Sequence, residues 1–256
     1  MERTQSFLNQ ISLKLRHRFW GNWQLRSGLP TVQPQEPARL KERQFYDLVL
    51  KRAFSPDEAQ RQNLVLDVGC RNWSYLASIA DFFQNAQLEG VEIDSLRRYW
   101  NLYRRVDYAN AYAQAFRKQG RQIECFADDF LKFAWRKAPR GKPPLFCFFF
   151  PFVSENPCLQ WGLPRQYADF GALVEHASKL ANSNYQDAQF FSLHQGEWEG
   201  VLARAIYLEQ GVEITSEGVI SADEFKNFWP SPHDVWFIKG RSTTDLLNGS
   251  AHSVKN

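Results

Sequence analysis

A chain of 256 residues with 44% hydrophobic and 23% charged residues has the composition of a globular protein and the length for one large domain. Its net charge of +3 does not by itself indicate a nucleic-acid partner. No Cys-x-x-Cys pair occurs among the four cysteines, so the sequence predicts free thiols in a reducing compartment and no zinc site. The longest apolar run, 145–153, is too short to cross a bilayer, and the first residues do not lead into a signal-peptide core. We therefore expect a cytoplasmic protein without stable membrane insertion.

Residues 1–60 predict a helical extension or lid ahead of the main domain. Apolar side chains recur at helical spacing across 3–20, and basic side chains lie beside them. The apolar positions are Phe7 or Leu8, Ile11, Leu15 and Phe19. The basic positions are Lys14, Arg16 and Arg18. This helix has three open interpretations: a lid packed on the domain, a helix on an anionic membrane surface, or a docking segment for a partner. We favour the lid or packing role, because the apolar stripe is modest and a proline-rich loop at 28–37 allows the helix to fold back before a second helix at 38–54.

From 61 to 242, predicted strands alternate with predicted helices, which indicates an α/β fold with a parallel sheet and right-handed crossovers. The predicted strands are 64–68, 88–93, 122–127, 145–150, 188–194, 212–216 and 234–239. The predicted helices are 75–83, 95–118, 130–137, 170–181 and 197–210. The polar stretch 243–256 predicts a flexible tail.

Carboxylates follow the first three of these strands. The stretch 63–69 is an apolar run that ends in Asp67 and a glycine turn, as when a buried parallel strand leads into a nucleotide-binding loop. Glu92 ends the second strand, and Asp128 and Asp129 follow the third. Ligands of open parallel sheets bind at the carboxyl ends of the strands, so we expect these side chains around one site. Asp67 has a second interpretation, as a cap of the turn that follows it.

This ordered set resembles the class I S-adenosylmethionine (SAM)-dependent methyltransferases over 63–240. That family carries a D-x-G-x-G-x-G loop or a relative of it after its first strand. Here 67–73 reads D-V-G-C-R-N-W, so the first glycine is kept, and Arg71 and Trp73 stand in place of the later two. The string looks like that of a poorly characterised bacterial branch. The resemblance implies a Rossmann-like three-layer sandwich with a mostly parallel seven-stranded sheet of order 3-2-1-4-5-7-6, strand 7 being antiparallel.

The resemblance also implies SAM as cofactor and assigns roles to the loop residues. Gly69 would let the backbone approach the methionine part, and Arg71 could pair with the methionine carboxylate. Glu92 would accept hydrogen bonds from both ribose hydroxyls. Asp129, or its neighbour Asp128, would accept from the adenine amino group, with capping of the next helix as the alternative role for one of them. The full set of predicted cofactor-binding residues is Asp67, Gly69, Cys70, Arg71, Glu92, Ile93, Asp128, Asp129 and Phe130.

Catalytic candidates follow the fourth and fifth strands. Methyl transfer requires positioning, and it requires a base only where the nucleophile must lose a proton early. His194 titrates near neutrality and is one candidate base, with a hydrogen-bonded histidine at the pocket edge as the alternative interpretation. Glu155 and Glu197 are acidic candidates, or else charges that favour helix starts. Phe150 stands where some family members carry the polar residue of an Asn/Asp-Pro-Pro-aromatic loop, which disfavours amino-group methylation of that type.

The leading hypothesis is a SAM-dependent methyltransferase acting on a small-molecule methyl acceptor. Trp161 and Trp198 could wall a pocket for an apolar or aromatic acceptor, and nothing in the sequence indicates a nucleic-acid-reading segment. The alternative is a non-catalytic ligand-binding or interaction protein on the same scaffold, motivated by the missing loop glycines. A nicotinamide-dependent oxidoreductase is a weaker third hypothesis, because 69–74 lacks G-x-G-x-x-G. The oligomeric state is left open.

Overall fold

A single seven-stranded sheet organises the protein. The computed structural model describes residues 2–20, 25–33, 35–135, 143–183, 187–229 and 231–242. The strands are β1 (Leu64–Val68), β2 (Gln87–Val91), β3 (Ile123–Phe126), β4 (Leu145–Phe149), β5 (Ala188–Gln195), β6 (Glu213–Ile220) and β7 (Val235–Ser242). Their order is β3-β2-β1-β4-β5-β7-β6. The first five strands pair in parallel, and β7 is antiparallel to both of its neighbours. The predicted fold class, strand order and antiparallel seventh strand are confirmed.

Helices cover both faces of the sheet. They are α1 (Glu2–Leu15), α2 (Pro37–Ala53), α3 (Pro56–Arg61), α4 (Leu76–Phe82), α5 (Arg105–Arg117), α6 (Glu155–Gln160), α7 (Phe170–Asn182), α8 (Gly196–Glu209) and α9 (Ala222–Phe225). A π-helical segment, Arg16–Trp20, continues α1. One core cluster joins the sheet to α2, α4 and α5, and a second joins it to α7 and α8. These two cores separate the three layers of the sandwich.

The central strand β4 shows why the sheet is buried on both sides. Successive side chains of a strand point to opposite faces. Cys147 and Phe149 accordingly lie in the α2 core, whereas Phe146 and Phe148 lie in the α7 core. All five residues of β4 are buried. A continuous apolar run is what a parallel strand covered on both faces requires.

The predicted helix 95–118 is wrong over 95–104, because α5 begins only at Arg105. Ahead of it the chain makes turns, with an isolated bridge between Arg98 and Arg104. Leu102 has φ +70°, a backbone conformation that stops a right-handed helix. The Asp107 carboxylate accepts from the backbone N–H of Arg104 at 2.7 Å and so marks the start of the helix. Helical periodicity does not detect this cap.

Smaller differences concern element lengths. The predicted helix 130–137 is a 3-10 turn, Phe130–Lys132, and its last two positions lie outside the described residues. Strand β6 runs on to Ile220 rather than ending at 216. The helices α6 and α9 are short and were not predicted. The predicted tail, 243–256, also lies outside the described residues.

Gly90, in the middle of β2, provides a test of how tightly the sheet packs under the loop that follows β1. A Cβ atom at this position would lie 2.8 Å from Cys70 Sγ and 3.2 Å from the Trp73 ring. We expect Gly90→Ala to lower the free energy of unfolding by about 1–3 kcal/mol through overpacking, measured by urea denaturation. Gly171→Ala is the control. A Cβ atom there would lie nearest the ends of two polar side chains, 3.3 Å from Asp169 Oδ1 and 3.4 Å from Gln210 Nε2, so this variant should change stability little. Equal stability of both variants would contradict the tight packing.

Candidate functional site

A cavity of about 350 Å³ opens at the carboxyl ends of the parallel strands. The loops after β1, β2, β3 and β4 contribute Gly69, Glu92, Asp129 and Phe150 to its wall, in that order. Open α/β sheets bind ligands at this edge, beside the first strand, where the strand order reverses. The cavity therefore lies where the carboxylates that follow the strands were expected to converge.

The loop after β1 has backbone angles typical of glycine at three positions, although only the first of them is a glycine. Gly69, Arg71 and Trp73 all have positive φ, at +82°, +54° and +54°. A non-glycine residue in this left-handed region costs about 1–2 kcal/mol. The Arg71 N–H donates to Glu92 Oε2 at 2.7 Å, which helps to hold the strained loop. Arg71 and Trp73 thus adopt the left-handed backbone that glycine adopts without steric cost.

Trp73 lies beneath this loop and leaves the cavity open. Its ring is fully buried in the core between the sheet and α2, and it does not line the cavity. The indole Nε1 donates to Asp67 Oδ2 at 2.8 Å. Burial raises the pKa of Asp67 to about 7. Burial also raises the pKa of the neighbouring Cys70 thiol, and neither Asp67 nor Cys70 lines the cavity.

The carboxylate of Glu92 links two loops. Its Oε2 accepts from Arg71 N, and its Oε1 accepts from Asp94 N at 2.7 Å. The side chain is buried, and burial raises its pKa. A carboxylate has about four acceptor positions, so each oxygen that is held by one backbone N–H can accept a further hydrogen bond from the cavity. Ile93, the next residue, also lines the cavity.

Of the two adjacent aspartates after β3, the structure brings Asp129 to the cavity. Asp129 is buried there, its Oδ1 accepting from Leu131 N at 3.1 Å and its Oδ2 from the Tyr167 hydroxyl at 3.0 Å. Asp128 is exposed and does not line the cavity. Phe130 lines it beside Asp129. Asp129 therefore both caps the turn and faces the cavity, roles that the sequence could not assign between the two aspartates.

The rest of the wall is aromatic. Tyr46 and Tyr75 stack with ring centroids 4.2 Å apart. The guanidinium carbon of Arg71 lies 4.7 Å from the centroid of the Trp161 ring, a cation–π contact between the β1 loop and the end of α6. Other rings in the wall are those of Phe148, Phe149, Phe150, Phe152, Tyr167 and Trp229. Trp161 thus lines the cavity as expected from the sequence, whereas Trp198 is exposed and does not.

The structure does not bring the three predicted catalytic residues to the cavity. His194 is buried on the α7 side of the sheet, 2.8 Å from Ser192 Oγ through its Nε2 and edge-on to Phe170. Burial lowers the pKa of His194 to about 3, which is far from the value that suits a base at neutral pH. Glu155 begins α6 and pairs with Arg165 at 2.5 Å. Glu197 is an exposed acid in the first turn of α8, so both glutamates fit the helix-start interpretation.

Glu199 is an acidic residue of the cavity wall that sequence reasoning missed, as is Asp94. It lies one turn into α8, lines the cavity and accepts from Gln195 N at 2.8 Å. Partial burial raises its pKa. Gln195, at the end of β5, also lines the cavity. The available signal was the four-residue spacing between Gln195 and Glu199 at a helix start, which allows the acid to turn back toward the strand end.

The N-terminal extension borders the cavity. Arg16 forms an ion pair with Asp94 at 3.0 Å, and the imidazole Nε2 of His17 lies 2.7 Å from the carbonyl oxygen of Ile93. Both Ile93 and Asp94 line the cavity. Asn9 donates through Nδ2 to the carbonyl of Leu163, another wall residue, at 2.9 Å.

The described residues contain no cluster of acidic, histidine and cysteine side chains that could hold a metal ion.

The architecture and the position of the cavity define the class I SAM-dependent methyltransferase fold. Magnesium protoporphyrin IX methyltransferase (ChlM) from Synechocystis PCC 6803, solved with bound S-adenosylhomocysteine (SAH), has a TM-score of 0.52 and 14% identity, covering 95% of this chain and 100% of that one. StiE O-MT has a TM-score of 0.53 and 13% identity, covering 96% and 94%. The [4+2]-cyclase SpnF has a TM-score of 0.54 and 10% identity, covering 93% and 97%. No protein-family model and no curated protein matches the sequence.

The position of His194 predicts a pH dependence of stability. Its folded pKa of about 3 lies below the ordinary 6.5, so its stabilising contribution is complete above pH 6.5 and is lost as pH falls toward 3. We expect urea denaturation to show that His194→Gln removes this loss between pH 6.5 and 4, whereas His233→Gln, at an exposed histidine, does not. The pKa of Asp67 is raised from 3.8 to about 7, so Asp67 changes the stability in the opposite direction over this pH range. Its effect is the same in the wild type and in both histidine variants. Parallel pH profiles for wild type and His194→Gln would contradict the buried neutral state.

Proposed function

We propose that this protein is a SAM-dependent methyltransferase acting on a small-molecule acceptor. The observation that carries the proposal is the convergence of Gly69, Glu92 and Asp129 on one cavity at the carboxyl ends of β1, β2 and β3. A tight glycine turn, a carboxylate and a second carboxylate in this order suit an amino-acid tail, a ribose and an adenine, respectively. The fold shared with ChlM and StiE O-MT supports the same assignment.

The residues present fit such a cofactor. No atom lies within 4 Å of a Cβ built on Gly69, so the backbone is open to close approach at that point. Glu92 keeps acceptor capacity on both oxygens for the ribose hydroxyls, since each is held by one backbone N–H. Asp129 would accept from the adenine amino group beside Phe130, and Arg71 would pair with the methionine carboxylate. When bound, SAM supplies an activated methyl group on a sulfonium.

The acceptor would lie against the aromatic part of the wall. Phe150, Trp229 and Tyr46 favour an apolar or aromatic molecule. Glu199 is the acid on that wall, and its raised pKa, caused by partial burial, moves it toward the range of a general base at neutral pH. We therefore assign proton removal from a hydroxyl acceptor to Glu199, in place of His194, Glu155 and Glu197.

A second candidate function is ligand binding without turnover. Among the described residues that line the cavity there is no histidine, and the three catalytic candidates of the sequence lie elsewhere. SpnF, which has this fold, is described as a [4+2]-cyclase, so the architecture alone does not dictate methyl transfer. Turnover separates the two candidates.

Cofactor binding is tested at Glu92. We expect titration calorimetry with SAH to show binding to the wild type and a roughly 10- to 100-fold weaker affinity for Glu92→Gln, because charge-assisted hydrogen bonds to the ribose are lost. Glu124→Gln, at an exposed glutamate of β3, is the matched control and should bind as the wild type does. Absence of any heat and of any thermal shift from the wild type at millimolar SAH would reject the methyltransferase.

Catalysis is tested at Glu199. With labelled SAM and a panel of phenols as acceptors, we expect Glu199→Gln to lower kcat about 100-fold or more while SAH affinity stays unchanged. Glu197→Gln changes an exposed acid two residues away and should leave kcat intact. Equal loss in both variants would remove Glu199 as the base. SAH binding without turnover on any acceptor would favour the non-catalytic candidate.

A further inference from the structure

Helix α1 packs on the domain with its polar side. Ser6 and Asn9 of α1, with Arg16 and His17 of the π-helical continuation, recur at helical spacing and make polar contacts with the rest of the protein. Asn9 Nδ2 donates to the carbonyl of Leu159 at 3.0 Å, in addition to the Leu163 carbonyl. Ser6 Oγ accepts from the backbone N–H of Arg165 at 3.0 Å. Leu13 is the only apolar side chain of α1 that is buried among the described residues.

The apolar stripe predicted in the sequence therefore faces solvent. Phe7 is 60% exposed, Leu15 46% and Phe19 57%, and Leu8 and Ile11 are exposed beside them. Twelve residue steps of helix from Phe7 to Phe19 span about 18 Å. Single exposed apolar residues are ordinary, but a continuous row of them marks an interaction surface. The helix therefore packs beside the cavity through its polar side, and its apolar side is outward.

The charges beside the stripe identify its partner. Exposed basic side chains on this segment are Arg3, Lys14 and Arg18. Glu2 is the only acidic residue within 2–19. Long basic side chains beside an apolar stripe can extend toward phosphate headgroups while their methylene groups cover apolar surface. A rim of one sign is complementary to an anionic lipid surface, which attracts each nearby Lys or Arg.

A second exposed apolar group lies on the loop next to this segment. Trp100 is fully exposed in the loop between β2 and α5. That loop adjoins the extension through the Arg26 guanidinium, which lies 5.5 Å from the Tyr103 ring centroid. It also adjoins through Asp94, which pairs with both Arg16 and Arg97. Tryptophan is enriched where proteins meet the headgroup region of a bilayer.

We propose that the outward face of residues 2–19 docks on an anionic membrane surface, with the helix lying in the plane of the headgroups. No helix in the described part of the chain combines the length and apolar character needed to traverse a bilayer. Association would therefore be peripheral, through Phe7, Ile11, Leu15 and Phe19 in the interface and through Lys14 and Arg18 on anionic lipids.

The test is co-sedimentation of the full chain with vesicles of phosphatidylcholine alone or mixed with phosphatidylglycerol. We expect binding to the mixed vesicles that falls about tenfold or more in Phe7→Ser/Ile11→Ser, and about fivefold for each of Lys14→Gln and Arg18→Gln. The matched control is Val201→Ser/Leu208→Ser, which removes side chains on α8 that are 54% and 49% exposed, and it should bind as the wild type does. All four substituted apolar positions are exposed, so melting temperatures should stay close to that of the wild type.

Several outcomes would overturn the proposal. In the first, the wild type fails to bind the mixed vesicles, and in the second it binds the neutral vesicles equally well. In the third, the double variant Phe7→Ser/Ile11→Ser binds the mixed vesicles as strongly as the wild type does. Light scattering after size-exclusion chromatography measures the oligomeric state of each variant. A wild-type dimer that dissociates in Phe7→Ser/Ile11→Ser, without vesicle binding, would assign the stripe to a second copy of this chain and overturn the membrane assignment. Binding that is lost in the stripe variant, reduced by salt and retained in the α8 control would support it.

Discussion

The site depends on one buried carboxylate that holds two backbone N–H groups. Glu92 accepts from Arg71 N in the loop after β1 and from Asp94 N in the turn after β2. Hydrogen bonds to an ionised acceptor are about twice as strong as neutral ones. They offset the strain of the left-handed residues in the first loop and fix the separation of the two loops. Because Asp94 in turn pairs with Arg16, Arg97 and Arg105, the same turn also anchors the N-terminal extension, and the cavity, its wall and the extension are one connected structure.

Much of the architecture could be predicted because its causes are local and repeated. Apolar runs alternating with amphipathic helices specify a parallel sheet, and the ordered carboxylates placed the cavity at the correct edge. The start of α5 could not be predicted, since it depends on the contact between Asp107 and the Arg104 backbone and on ion pairs around Asp94. Those contacts join residues that periodicity treats as one continuous helix.

Residues near the ends of strands were harder to assign than the strands themselves. His194 shares the side of β5 that carries Phe190 and Ser192 and so faces the α7 layer, where burial keeps it neutral. Glu199, on the following helix, reaches the cavity instead. Strand alternation separates the two faces of a sheet, but it does not reveal which side chains of the next helix turn back to the strand end. Adjacent residues such as Asp128 and Asp129 are likewise distinguished only by the turn between them.

Trp73 has a consequence for how such loops are recognised. Its ring occupies the volume beside Gly90 in the neighbouring strand, and its indole N–H neutralises part of the polarity of Asp67. The large ring of Trp73 and the absence of a side chain at Gly90 are therefore complementary, and a larger residue at 90 would require a smaller one at 73. A signature written as three glycines passes over proteins of this kind. A signature written as a large aromatic residue paired with a glycine one strand away would retain them.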